Sequence, residues 1–187
     1  GTAISLNDLS YVLIADSSLY VGHDPTSTDS TAQFNVALGV TALDAITTGD
    51  NNTALGYNAG SAINTGANNT IVGSGAGALV TDGDDNVFVG KSSGAAVTSG
   101  QDNIFIGNEA GEAVTTALYN VAIGSHALET NVDGDGIVAV GYQALKTLEP
   151  SDGLNYNVAI GYNAGLSVST GNNNVLLGGK AGDAITT

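Results

Sequence analysis

The chain contains no cysteine, methionine, tryptophan or arginine, and only two prolines. Without thiols there are no disulfides, no Cys-type zinc sites and no thiol nucleophile, and the redox compartment leaves no mark. Three lysines face 18 acidic residues, for a formal charge of −15 over 187 residues. Nucleic acid and anionic membrane surfaces are bound through Lys and Arg, so both are disfavoured as direct partners. Strong acidity suits solubility in a salty medium and association with divalent cations. No apolar run reaches transmembrane length, and no charged start precedes a signal-type core.

Histidine occurs only at positions 23 and 126. His23 stands in "GHDPTS", where Asp24 and Pro25 make an ordinary turn. His126 takes a turn position that is Asn58, Glu109 or Asn163 in other repeats. Both read as solvated turn residues. With no HExxH, GxSxG or paired-carboxylate signature, the expectation is a protein that is not an enzyme.

Glycine is what the chain has in quantity, 27 residues of it. "IVGSGAG" at 71–77 resembles a phosphate-cradling turn, yet it lacks the GK[ST] ending of a P-loop and the long helix that follows a dinucleotide fingerprint. Its neighbours explain it better. A glycine after an apolar triplet falls at Gly22, Gly39, Gly56, Gly73, Gly90, Gly107, Gly124, Gly141, Gly161 and Gly178, in steps of 17 except for the step of 20 from Gly141 to Gly161. Gly73 and Gly77 are then corners of one repeat, where a tight turn demands positive φ.

Aligned on that glycine, the units form columns. Four residues before it stand Asn35, Asn52, Asn69, Asn86, Asn103, Asn120, Asn157 and Asn174, broken by Ile137. Stacked in register, such side chains bond to one another as in cross-β ladders. Just before the glycine is always a branched aliphatic, from Leu38 to Leu177. Three after it comes alanine, with Ser93 the exception, and seven after it a second aliphatic column, from Ile46 to Ile185, broken by Asn131. Short β-branched runs bounded by Gly, Asn, Asp and Thr read as strands and turns. Each unit is expected to hold two short strands, "NVAIG" and a segment like "AVTTG". The fold class is therefore all-β, a parallel β-solenoid or β-roll of 17-residue coils. About ten coils stacked at ~4.8 Å would make a rod of roughly 45 Å.

Residues 1–21 fit the repeat poorly and read as a capping segment over the first coil, with the array running from 22 to 187 and its insertion in 142–161. The chain opens on Gly1 without Met and stops mid-repeat at "KAGDAITT". The expectation is protein upstream, and either more protein beyond Thr187 or end-to-end stacking on a partner.

Outward positions of an isolated solenoid should be polar. Between the columns that begin at Val36 and Leu38, the middle position reads Ala37, Ala54, Ile71, Phe88, Phe105, Ala122, Ala139, Ala159 and Leu176. Whichever face lies inside, an apolar stripe is left on the other, and stripes of this length mark interfaces. The middle column is taken as the interchain seam of a closed homo-oligomer, a fibrous homotrimer.

For metal, hard oxygen ligands on Gly-containing turns suit calcium; the positions are Asp82, Asp84, Asp85, Asp102, Asp133 and Asp135, with Asp85 and Asp102 expected to stack one coil apart. Their alternative role is as turn formers. The threonine-rich column Thr48, Thr65, Asp82, Ser99, Thr116, Asp133, Pro150 and Thr170 is too interrupted for an ice-binding face. The insertion would place a binding loop on Lys146, Glu149, Asp152 and Tyr156.

The unit N-x-A-[LIV]-G-x-x-A, seen in "NVALGVTA", "NTALGYNA", "NVAIGSHA" and "NVAIGYNA", resembles the head repeats of trimeric autotransporter adhesins. That resemblance implies a left-handed β-roll trimerised through an apolar face. The repeat here is longer, and neither a coiled-coil stalk nor an anchor barrel accompanies it. The stretch 18–60 is similar to repeat segments of tail-fibre and structural proteins of marine bacteriophages. It implies a homotrimeric virion fibre that reaches toward or binds a host-surface glycan or protein. The alternative is a bacterial surface adhesin or self-assembling extracellular filament, with calcium as the one ion either reading would use.

Overall fold

A computed structural model describes residues 12–15, 17–22, 31–150 and 153–186. Among these residues the regular structure is all strand, with no helix. Thirteen short strands follow in chain order. They are β1 (Val12–Ala15), β2 (Ser18–Val21), β3 (Val36–Leu38), β4 (Thr53–Leu55), β5 (Thr70–Val72), β6 (Val87–Val89) and β7 (Ile104–Ile106). The rest are β8 (Val121–Ile123), β9 (Gly134–Asp135), β10 (Val138–Val140), β11 (Gly153–Leu154), β12 (Val158–Ile160) and β13 (Val175–Leu177).

An 11-stranded sheet runs β1-β2-β3-β4-β5-β6-β7-β8-β10-β12-β13. From β2 onward every pairing is parallel and each strand lies beside the same strand of the next coil, as in Val36↔Thr53 or Ile104↔Val121. The chain is a parallel β-solenoid of about nine coils, each about 17 residues from the next. The long unit keeps the register, pairing Val138 with Val158, and inserts its surplus as a second small ladder, β9 with β11.

The first rung is β2, paired in parallel with β3. It therefore starts inside the segment 1–21 assigned as a cap. Antiparallel β1 covers its outer edge. Residues 1–11 and 23–30 lie outside the described residues, and with them His23 and its turn.

Outside the β9–β11 ladder, only one strand forms per coil, where two were expected. In the "AVTTG" segment the amides of Thr47, Thr48 and Gly49 converge on the single carbonyl of Asn64 at 3.0, 3.2 and 3.3 Å, so no ladder of separate bonds develops. The next coil repeats this, with Asn64, Thr65 and Gly66 pointing at Thr81. Thr81 and Thr98 hydroxyls donate to the carbonyls of Thr98 and Thr115, and in this way stitch the segment along the axis.

The asparagine column is buried, with Asn35, Asn52, Asn69, Asn86, Asn103, Asn120 and Asn157 fully so and Asn174 partly. Asn103 shows the pattern: its Nδ2 donates to Ala117 O at 2.8 Å, while its Oδ1 accepts the Asn120 amide at 3.1 Å. Side chain also meets side chain, as Asn69 Nδ2 donates to Asn52 Oδ1 at 3.0 Å. Ile137 donates its amide to Asn120 but has no side-chain bond to pass on. Gly134, whose carbonyl already accepts from Asn120 Nδ2, is also bonded through both its N–H and its carbonyl by buried Asn131.

The seam assignment is corrected. Ala37, Ala54, Ile71, Phe88, Phe105, Ala122, Ala139 and Ala159 are buried inside the coil, and Leu176 packs against the same core. Three-residue strands present their ends outward and their centre inward, and the centre faces the alanine column and the second aliphatic column. The core closes by exchange of volume. Where the middle residue is Phe88 or Phe105, the residue six further on is Gly94 or Gly111, and a Cβ on either would come within 2.9 or 2.6 Å of that ring. Where the middle residue is Ala37, Ala122 or Ala139, the matching position is buried Leu43, Leu128 or Leu145; at Ala54 and Ala159 the matching residue is small as well, Gly60 or Gly165, and the space is filled from adjacent coils by Leu43 and Ile71 or by Leu145 and Leu176. The two phenylalanine rings stack at 5.3 Å and 16°.

The corner glycine meets a second constraint besides its φ. A Cβ on Gly90 would stand 2.3 Å from the Gly107 carbonyl oxygen of the next coil, so backbone rather than side chain excludes any other residue.

Phe105→Ala is expected to cost about 3–5 kcal/mol in denaturant melts. Adding Gly111→Leu should recover about 1–3 kcal/mol of it, because Leu128 already occupies the equivalent left-handed position at φ 54°. Strictly additive losses in the double variant would refute the exchange of volume.

Candidate functional site: the outer face of the sheet and its corners

The strand ends that point away from the core form two columns. One reads Val36, Thr53, Thr70, Val87, Ile104, Val121, Val138, Val158 and Val175. The other reads Leu38, Leu55, Val72, Val89, Ile106, Ile123, Val140, Ile160 and Leu177. Neither contains a charge. Leu38 is 48% and Leu55 44% exposed, against 2% for Ala37 between the columns. A one-sided antiparallel sheet in water alternates apolar with polar; here both faces are apolar. The sequence reading named these columns but placed the seam one residue off. The alternation of size between the middle residue and the position six further on was the signal that would have set the inward face.

The flanks of this face are mixed. Before the strand run Phe34, Asn51, Asn68, Asp85, Asp102, Tyr119, Gly136, Tyr156 and Asn173, most of them at positive φ. After it, Tyr57, Tyr142 and Tyr162 are exposed, and the last two stack at 5.3 Å.

The proposed calcium ligands do not converge. Asp85 and Asp102 do take adjacent rungs of the flank. Asp84 Oδ1 accepts the Ala67 amide and Asp135 Oδ1 the Leu118 amide, both at 2.7 Å, and Asp50 serves Gln33 likewise. Asp82 accepts from the Thr81 hydroxyl. Asp133 Oδ1 accepts from Thr115 and Thr116 at 2.6 and 2.9 Å, and these bonds hold its carboxyl below the usual range. Asp84, Asp133 and Asp135 are thus acceptors for the neighbouring coil.

Among the described residues of the expected binding loop, Lys146, Glu149 and Tyr156 are not brought together. Asp152 lies outside the described residues. Glu149 and Tyr156 are exposed, Tyr156 on the flank before the sheet. Lys146 sits on the corner after the sheet, its Nζ 3.0 Å from Glu129 Oε2.

That corner holds a cluster the sequence reading did not assemble. Lys91 Nζ lies 3.4 Å from Glu109 Oε1, and His126 Nδ1 lies 3.2 Å from Glu109 Oε2 and 2.8 Å from Glu129 Oε2. His126 is therefore no free turn residue. It packs edge-on to Tyr142 at 6.2 Å. Its turn column reads Asn58, Gly75, Ser92, Glu109, His126 and Gln143, so no recurrence marks it. Only the register, which sets Glu109 one coil from His126 and Glu112 one coil from Glu129, would have found it.

No protein-family profile, curated protein or solved structure matches the chain. Among the described residues no helix is long and apolar enough to cross a membrane.

Two outcomes follow for the acidic turns. Asp84→Asn keeps an acceptor and should leave stability within about 0.5 kcal/mol, while Asp84→Ala should lose about 1 kcal/mol; calcium should raise the melting temperature no more than matched magnesium. A calcium-specific rise abolished by Asp84→Asn would reinstate the ion. Asp133 has a depressed folded pKa, so its contribution is present above the ordinary carboxyl range and is lost as pH falls through the folded value. Thr115→Val with Thr116→Val should return the Asp133 carboxyl resonance to an ordinary titration by NMR, and an unchanged titration would refute those bonds as its cause.

Proposed function

We propose that this chain is a non-enzymatic structural and adhesive segment of a surface fibre, of the phage tail-fibre kind, working as a side-by-side homotrimer. One observation carries the reading: the uncharged aliphatic face that runs the whole length of the solenoid on the side opposite its core. Ten rungs at ~4.8 Å with strands of about 10 Å give an aliphatic strip of roughly 500 Å², which the mixed flanks widen to roughly 700–900 Å². A standard specific interface takes about 800 Å² from each partner. A second copy offers a face of the same length and rung spacing, and identical chains associate most readily in closed rings. In this reading the inner core supplies each chain's own stability, and the outer face supplies the fibre.

The mechanism is mechanical. Parallel rungs give reach and stiffness along the axis, while the turn columns repeat Asn, Asp and Tyr side chains toward a host glycan or protein. The resemblance of "NVAIGYNA"-type units to adhesin heads and phage fibres supports that use.

Light scattering on the purified chain should return the mass of three 18.4 kDa subunits, unchanged by EDTA. Ile106→Asp with Ile123→Asp, on the outer face of adjacent rungs, should shift that mass to one chain while the β circular dichroism persists. A wild-type monomer in solution would overturn the trimer, and with it the fibre.

A further inference from the structure

We propose that Glu109, His126 and Glu129 form a binding site for a borderline transition-metal dication, with zinc as the reference ion. This goes beyond the fibre reading and stands or falls separately from it. One ligand atom from each of the three residues lies within 4.8 Å of the others. His126 Nδ1 is 3.2 Å from one carboxylate oxygen and 2.8 Å from the other. Tetrahedral ligands held at about 2.0–2.2 Å from one ion stand about 3.3–3.6 Å from each other, so the 2.8 Å pair opens slightly while any pair near the 4.8 Å limit closes.

A second observation points to a ligand. His126 Nδ1 and Glu129 Oε2 are both sealed from solvent and stand 2.8 Å apart, with Lys146 Nζ 3.0 Å from the same oxygen, yet none of these contacts has hydrogen-bond geometry. Buried polar atoms are nearly always satisfied; here a nitrogen donor and an oxygen donor are desolvated side by side and aimed at one point. The edge of Tyr142 against the imidazole fixes the ring.

The surrounding charge fits a cation. Glu112 lies one coil from Glu129 in the same column, which adds a third carboxylate to the corner. Two ammonium groups already answer this surplus. Lys91, with its side chain 66% exposed, reaches Glu109, and Lys146 reaches the same Glu129 oxygen that faces His126. Both sit on flexible stems and can be displaced. An imidazole nitrogen with two carboxylates suits zinc and its neighbours, whereas calcium and magnesium take all-oxygen shells. Because Glu109 belongs to one coil and His126 and Glu129 to the next, the ion would tie two coils together at their corner.

Zinc titrated calorimetrically into the full chain near neutral pH, with calcium and magnesium as controls, should bind one ion per chain with micromolar or tighter affinity. It should raise the melting temperature by several degrees, and cobalt should give a visible d–d band at the same stoichiometry. His126→Gln should weaken zinc more than tenfold, a loss of more than about 1.4 kcal/mol. Lys146→Gln removes the competing ammonium, so it should bind zinc at least as tightly as the wild type, whereas an ion-pair cluster with no metal role predicts lost stability and no effect on zinc. If His126→Gln does not fold, Glu129→Gln and the cobalt spectrum of the wild type decide. No saturable zinc binding below about 100 μM, or equal binding by His126→Gln, would overturn the site.

Discussion

A solenoid has to solve one problem at every coil: backbone groups at the corner leave the sheet while still shielded from water. Here the solution is the buried asparagine four residues before each corner glycine. Its amide reaches forward to the carbonyl 14 residues on, as from Asn86 to Gly100, and its carbonyl takes the amide of the next coil's asparagine. An amide side chain is the right instrument because it donates and accepts at once. An unpaired buried group costs about 1–3 kcal/mol, so a coil lacking this residue would carry a substantial deficit. Where Ile137 breaks the column, its amide still reaches Asn120, but no side chain at that rung passes the bond on. With the corner fixed, the glycines can approach carbonyl to Cα, and the strands fall into parallel register.

Much of this was legible because it recurs at a fixed interval. The coil, the strand "NVAIG", the glycine corner and the asparagine ladder are each a column, and a column read from sequence is a line in space. The inward face was not read correctly, because Ala37 or Ala122 alone is compatible with a core or with a close-packed seam. Its decision lay in pairs of columns: Phe105 goes with Gly111 and Ala122 with Leu128, a trade of volume that only residues sharing one interior make. The second strand per coil failed for another reason. β-propensity in "AVTTG" says nothing of three amides converging on one carbonyl, which is a matter of corner geometry.

The corner cluster was illegible for the opposite reason. Lys91, Glu109, His126, Glu129 and Lys146 belong to three different columns and do not recur, so no period announces them. They meet because consecutive coils bring residues 17 apart, such as Glu109 and His126, to the same corner, and long side chains bridge the small offsets between columns. Recurrence finds architecture, whereas departures from recurrence are where a repeat protein has freedom to place chemistry.

Stacking also limits what charge such a rod can carry. A charged column would repeat its charge at every rung, about 4.8 Å apart, and like charges directly opposite on a sheet destabilise it. A chain with 18 acidic residues and three lysines must therefore break up its carboxylates, and it does so in two ways. Asp50, Asp84 and Asp135 sit in separate coils and each accepts an amide hydrogen bond from the coil before, while Asp85 and Asp102 stack on adjacent rungs where both are exposed to solvent. Glu112 and Glu129, which do stack, are followed in the same column by Lys146, and Glu109 in its own column is followed by His126. The outer face of the sheet holds no charge at all. Dispersal of repulsion accounts for the carboxylates elsewhere, but it would not by itself clear two whole columns of every polar group except Thr53 and Thr70. That clearance is what burial against another apolar surface requires.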